Sequence, residues 1–140
     1  MDLLDTFNIA GSGLSAQRMR LQTITSNLAN ARTTRTEDGG AYKRRAPVFT
    51  AQALDPFGSS LDQALSTVKV ESIHESDLPG RIVYDPSHPD ADAEGNVTYP
   101  NVDVLSEMVD LMTTARSYEA NTNALDVTRE LARQALEIGR

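Results

Sequence analysis

The 140-residue sequence predicts an α+β fold, mainly α. Long N- and C-terminal helices pair as a coiled-coil-like unit, with a small β-rich middle segment and an extended Pro-rich arm between them. Three observations predict it. Apolar residues recur at alternating steps of four and three over residues 104–138, a heptad can be written over residues 3–31, and short β-branched runs bounded by Gly and Pro fill the span between. The corresponding division is 1–31 for the N-terminal helix, 32–103 for the middle segment and arm, and 104–140 for the C-terminal helix.

The first helix places Phe7, Leu14, Leu21 and Leu28 at one heptad position and Leu3, Ala10, Gln17, Ile24 and Ala31 at the other. Gln17 is the polar intruder, either a residue that fixes register between helices or a rim position. Gly11 and Gly13 each weaken an isolated helix by ~1 kcal/mol relative to Ala, so this segment is expected to be helical only when packed. With Ala16 they also spell the spacing of a dinucleotide fingerprint. That motif needs a preceding strand and a β-α-β unit, and the sequence offers neither, so the small residues read as points of close helix approach. Asn30, able to take a left-handed cap, and the turn-rich run Thr33–Gly40 end the helix.

Strands are expected over Tyr42–Leu54, Thr67–Glu75 and Arg81–Tyr84, forming one small sheet, with a loop at Asp55–Ser60. From Asp85 to Asp103, Pro86, Pro89, Gly95 and Pro100 argue for an irregular arm over most of its length. Asp90, Asp92, Glu94 and Gly95 match the opening of a calcium loop, and Val97 falls on its apolar position. The twelfth position is Asn101 where a bidentate Glu is needed, Pro100 precedes it, and no helix enters. His74 and His88 stand in different segments without supporting ligands, which favours ordinary hydrogen-bonded loop residues over a metal or acid–base site.

The C-terminal helix carries one seam through Val104, Met108, Leu111, Ala115, Tyr118, Thr122, Leu125, Arg129, Ala132 and Leu136. A second runs through Leu105, Val109, Met112, Ala124, Thr128, Leu131, Ala135 and Ile138, so more than one neighbour is required. Asn101 or Asp103 can cap its start, and Gly139 marks its stop. Tyr118, Asn121, Thr122 and Asn123 put polar groups near the seam, where they either bond across helices or face water.

Composition limits the options. Seven Phe and Tyr and no Trp supply a thin core, so assembly is expected to complete the fold. The absence of Cys removes disulfides and thiolate metal sites. A formal charge of −7 argues against nucleic-acid binding. The local run Arg32, Arg35, Lys43, Arg44 and Arg45 reads as a solvated loop or a charged subunit contact. No cleaved signal peptide and no apolar run long enough for direct membrane insertion is visible.

Ser12-Gly13-Leu14-Ser15-Ala16-Gln17-Arg18 and Ser26-Asn27-Leu28-Ala29-Asn30-Ala31-Arg32-Thr33-Thr34 resemble the N-terminal signature of bacterial flagellar rod and hook axial proteins. Asp85–Asp92, Gly95-Asn96-Val97, Tyr99–Asp103, Glu107–Leu111 and Ala115–Asn121 are similar to the proximal rod proteins among them. The resemblance implies a structural subunit with no active site and no cofactor, exported by the flagellar type III apparatus and assembled in the periplasm. Its partners would be copies of itself and other rod proteins, with the export-gate or basal-body adaptor and hook-side rod subunits as further neighbours. The expected assembly interface is Phe7, Leu14, Gln17, Leu21, Ile24, Leu28, Val104, Met108, Leu111, Ala115, Tyr118, Asn121, Leu125, Leu131 and Leu136. A soluble helical adaptor binding one partner through the same helices is the alternative reading, and a calcium-binding module another.

Overall fold

The computed structural model describes residues 3–54 and 65–138. The expected loop at 55–60 and the helix stop at Gly139 lie outside the described residues. The elements in chain order are α1 (Leu3–Ala29), β1 (Arg45–Ala53), β2 (Ser66–Glu75), β3 (Arg81–Tyr84), β4 (Asn96–Tyr99) and α2 (Val104–Ile138). At 35 residues, α2 is about 50 Å long.

The helix ends follow from local chemistry. Of the two candidate caps for α2, Asp103 serves: its carboxylate accepts the Leu105 N–H at 3.1 Å, and its carbonyl accepts the Glu107 N–H at 3.0 Å. At the other end of the fold, Asn30 does not take the left-handed conformation expected of it, since no described non-glycine residue has positive φ. Its side chain closes α1 by another route. The amide donates to the Ser26 carbonyl at 2.9 Å, which also accepts the Asn30 backbone N–H at 3.0 Å, and its oxygen accepts the Thr33 hydroxyl at 3.1 Å, which ties the last turn to the chain that follows. Positive φ is confined to Gly39, Gly40 and Gly95, where turns reverse the chain.

The expected strands form, but not as one sheet. β1 pairs antiparallel with β2, with Arg45 opposite Glu75 and Ala53 opposite Ser66, and a bulge falls between Val48 and Phe49. β3 pairs instead with β4, a strand inside the arm that was expected to be largely irregular. Gly and Pro confine the irregular backbone to the turns on either side, and Asn96–Tyr99 finds a partner in Arg81–Tyr84. The turn between them is built by carboxylates. Asp85 accepts the Ser87 hydroxyl at 2.6 Å, and one oxygen of Asp92 accepts the Glu94 and Asn96 N–H groups at 2.9 and 2.8 Å.

α1 is the central element, touching both α2 and the β1–β2 ribbon, while α2 leans chiefly on α1. Ser12 Oγ accepts the Val68 N–H at 3.1 Å, and the Arg20 guanidinium sits 4.8 Å above the Phe49 ring, so the ribbon lies along α1. Among the described residues the fully buried apolar side chains are Ala16, Ile24, Tyr42 and Val97, matched in number by the polar Thr23, Asn27, Glu107 and Thr114. The core is as thin as the composition implies.

Two glycines differ in what they tolerate. A Cβ at Gly80 would run into the Tyr99 carbonyl and Thr98 at the open end of the β3–β4 pair, whereas one at Gly11 would meet open space. Gly80→Ala is expected to cost about 1–3 kcal/mol through overpacking, and Gly11→Ala to add about 0.5–1 kcal/mol by helix propensity. Urea denaturation of the two variants should move in opposite directions. The Asp85 carboxyl is held below its ordinary value first by the Ser87 hydroxyl and then by the Ser87 N–H. A carboxyl with a lowered folded pKa favours the folded turn at neutral pH, and this contribution disappears as pH falls through that pKa. Ser87→Ala should therefore raise the Asp85 titration midpoint toward the ordinary carboxylate value, as read by carboxyl-carbon NMR.

Candidate assembly surface and the polar junction behind it

Asn27 near the end of α1 meets Glu107 near the start of α2, and Gly13 faces Asn121 fourteen residues away along each helix. The helices therefore run antiparallel, and the start of α1 falls opposite about Leu131. The remainder of α2, about residues 132–138, projects past its partner. Gly13 provides a close approach, since a Cβ there would lie 3.3 Å from the Asn121 amide; Gly11 does not, because it points away.

At the closed end of this hairpin lies a junction of polar side chains. The Asn27 amide is 1% exposed and uses all four of its hydrogen-bonding positions. Its Nδ2 donates to the Arg45 carbonyl at 2.8 Å and to Glu107 Oε2 at 3.0 Å. Its Oδ1 accepts the Arg45 N–H at 2.9 Å and the Tyr42 hydroxyl at 2.9 Å. The amide thus pairs with Arg45 as a strand neighbour would, fixing where β1 begins. Glu107, also 1% exposed, accepts the Arg44 Nε–H at 2.6 Å on its second oxygen. With the Tyr42 proton directed at Asn27, the contact of 3.3 Å between Ser26 and Tyr42 has the serine as donor. One carboxylate, one guanidinium, one phenol and one amide thereby join α1, β1 and α2.

The basic run between the helices is largely consumed by such ties. Arg35 pairs with Asp90 at 3.4 Å, Lys43 with Asp77 at 3.9 Å, and Arg45 with Glu75 at 2.8 Å. Arg35, Lys43 and Arg45 remain largely exposed in these pairs, as in a solvated loop whose charges are met within the chain. Asp90 also accepts the Thr34 hydroxyl at 2.8 Å, so its carboxylate and that of Asp92 serve separate partners. Among the described residues no three His, Asp or Glu side chains converge on a point fit for a metal, and no helix is long and apolar enough to cross a membrane.

The residues expected to form the assembly interface divide into two groups. Facing the packed side, Ile24 is buried, and Phe7, Leu14, Gln17, Leu21, Leu28, Leu111, Ala115, Asn121 and Leu125 are half-buried. Val104, Met108, Tyr118, Leu131 and Leu136 are exposed. The packed face of α1 centres on Ala16, Thr23, Ile24 and Asn27, with the four large heptad residues Phe7, Leu14, Leu21 and Leu28 at its margin. Small and polar groups fill the seam. Large apolar ones are left over, most plainly Leu105, Met108, Val109 and Met112, which share the side of α2 turned from α1 over its first turns, with Leu105 at 72% exposure. Leu136 is 76% exposed because it lies on the projecting end. Within the seam, Gln17 Oε1 is the buried side-chain oxygen left without a hydrogen-bond partner among the described residues.

The polar junction escaped sequence reasoning. Its signal was present in the cap-like Ser26-Asn27 pair and in Glu107, an acid four residues into an otherwise apolar helix start. Heptad counting treats such residues as exposed.

A thin-cored helical hairpin with its large apolar side chains turned outward is the build of a subunit whose packing is completed by neighbours. Comparison with known proteins gives the family. Residues 7–35 match the family described as flagella basal body rod protein, and residues 93–138 match the flagellar basal body rod FlgEFG protein C-terminal family. The chain is 43% identical to the flagellar basal-body rod protein FlgC of Salmonella typhimurium, over 99% of both chains. It is 41% identical to FlgC of Bacillus subtilis over the full length of both, and 38% identical to that of Borreliella burgdorferi over 99% of this chain and 98% of the other. The chain belongs to the FlgC family of flagellar basal-body rod proteins. Asn27 falls in one matched segment and Glu107 in the other.

Removing one member of the polar junction strands the rest. Asn27→Ala, which leaves Glu107 paired with Arg44 but without its amide donor, should lower stability by about 1.5–3 kcal/mol. Tyr42→Phe, which removes one neutral donor, should cost about 1–2 kcal/mol. Thermal unfolding followed by circular dichroism checks both magnitudes and their order.

Proposed function

We propose that the chain is a structural subunit of the proximal rod of the bacterial flagellar basal body. It assembles through its terminal helices with copies of itself and with other rod proteins into a tube that transmits torque and encloses the export channel. It catalyses no reaction. Its axial neighbours are the export-gate or basal-body adaptor on one side and hook-side rod subunits on the other. Its place is in the rod, which crosses the periplasm.

One observation supports this reading above the rest: α2 carries a continuous exposed apolar stripe, Leu105, Met108, Val109 and Met112, on the side turned from α1. Each such side chain gains roughly 1.5–3 kcal/mol when a neighbour covers it. A chain meant to stay alone would carry polar residues there. Small residues in the seam between α1 and α2 keep the hairpin narrow, so several can stand side by side around a common axis. Contacts between different faces of successive copies give open helical growth.

The stripe separates assembly from folding. Met108→Asp changes an exposed residue, so stability should move by no more than about 0.5 kcal/mol, while incorporation into basal bodies and swimming should be lost. Leu21→Asp and Leu125→Asp, at half-buried positions, should lose both. Swimming at normal speed by the Met108→Asp strain would overturn the proposal. Retained swimming with loss of binding to one soluble partner would identify an adaptor instead.

A further inference from the structure

The two helices that assemble are built on repeats, and a repeat invites slippage. The packed face of α1 carries Ala16 and Thr23 seven residues apart, with Leu14, Leu21 and Leu28 at the same spacing along its margin, and the facing side of α2 offers Thr114, Asn121 and Thr128 at seven-residue steps beside the half-buried Leu111, Ala115, Thr122 and Leu125. Displacing one helix by a heptad replaces one small or half-buried contact by another of similar size. Small side chains at Gly13, Ala16, Thr114 and Ser117 put up little steric resistance. The apolar contacts alone define the pairing of faces and leave the axial position loosely fixed.

The Asn27–Glu107 contact has no second copy along the seam. It joins a fully used amide to a carboxylate held from behind by Arg44, and the same amide is locked to the backbone of Arg45 and to Tyr42. A slip of seven residues in one direction would bring Asn27 opposite Thr114, and Glu107 would lose its amide donor while still buried. We infer that the Asn27–Glu107–Arg44 junction sets the axial register of α1 against α2, and so decides which apolar side chains the subunit presents to its neighbours. The three residues are register-determining positions for assembly. This rests on the reading of the hairpin as the assembling unit, though not on which rod neighbours it meets.

Fully buried side chains sit near the junction. Ala16, Thr23, Ile24 and Asn27 on α1 and Glu107 and Thr114 on α2 lie toward that end, whereas Leu4, Val127, Leu131 and Leu136 at the other end are exposed. The hairpin is gripped at one end. An error in register there would be carried along the whole of α2 and would displace the exposed stripe along the helix axis by about 10 Å per heptad.

The absence of cysteine lets register be read by paired cysteines. Gly13→Cys is combined with Asn121→Cys, the native facing position, or with Thr114→Cys or Thr128→Cys, one heptad to either side. The purified full-length chain is oxidised and the bridged fraction is followed with time. With the native junction, the 13–121 bridge should form at least about tenfold faster than either alternative. Replacing the buried pair by Asn27→Leu with Glu107→Leu keeps the site filled and, in a variant whose helix content and cooperative unfolding are checked by circular dichroism, should bring the three rates within about threefold of one another. A second set guards against a merely structural effect. Asn27→Asp sets two carboxylates together, and in Glu107→Gln the one amide oxygen can meet Asn27 or Arg44 but not both, so each alone should erode the preference. Their combination restores one donor facing one acceptor and should recover part of it, the Arg45 carbonyl still lacking its donor. A leucine pair that keeps the tenfold preference, or a double variant no better than its two singles, overturns the inference. Because the bridges are read before assembly, either failure leaves the rod reading standing. Loss of basal-body incorporation in a chain of native register would count against the register role in assembly.

Discussion

The contact between Asn27 and Glu107 is the constraint on which the rest of the structure depends. Burying a carboxylate is unfavourable unless its charge is met and both oxygens are bonded. Here one oxygen meets the Arg44 guanidinium and the other meets an amide whose remaining positions are all in use. The arrangement is possible only if the end of α1, the start of β1 and the start of α2 arrive together. Apolar packing that buries four apolar side chains among the described residues could not impose that convergence alone. The polar junction substitutes directional bonds for the volume that a larger core would supply.

The same economy of apolar burial explains how the surface is divided. Inside the chain, α1 meets α2 through Gly13, Ala16, Thr23, Thr114, Ser117 and Asn121, residues that bring backbones close and bury little greasy area. Leu105, Met108, Val109 and Met112 are left outward, Leu131 is exposed opposite the start of α1, and the projecting end of α2 carries Leu136 beyond the cover of α1. Such a chain gains more from neighbours than from its own interior. The β1–β2 ribbon lies along α1 and is tied to it by Ser12, Arg20 and Asn27 at successive levels, so α2 is the helix left freest to meet other subunits.

Periodicity made the helices legible. Both long elements, the Asp103 cap and the Arg81–Tyr84 strand follow from spacing and local propensity, because an amphipathic repeat and a side-chain cap are nearest-neighbour properties. Strand pairing is not local. β4 was hidden within a Pro- and Gly-rich run because four residues carry too little pattern to outweigh their flanks, and only the partner β3 makes them a strand. The expected left-handed Asn30 failed for a related reason: its side chain found Ser26 and Thr33, a better arrangement than the backbone conformation it could also adopt. The acids that meet the basic run, Glu75, Asp77, Asp90 and Glu107, could not be assigned to it from the sequence because they are distant along the chain and near only in the fold. Within the chain, the packed faces centre on Ala16, Thr23, Ile24 and Asn27 of α1 and on Glu107 and Thr114 of α2, which puts Phe7, Leu14, Leu21 and Leu28 at the margin and Val104, Met108, Tyr118 and Leu136 of the written seams outside.

That last difference bears on how a rod subunit must be built. A hairpin that buried its leucines internally would be more stable alone and would have less to offer a neighbour. Moving small and polar residues into the internal seam lowers the stability of the single chain and raises the gain on assembly, since the displaced apolar area is covered only in the tube. Small residues define position poorly, however, and a repeat of them defines it least. A chain that makes this exchange needs some other device to hold its helices in one axial position, and a directional, fully satisfied polar contact that occurs once along the seam is the device that the physics of repeats calls for.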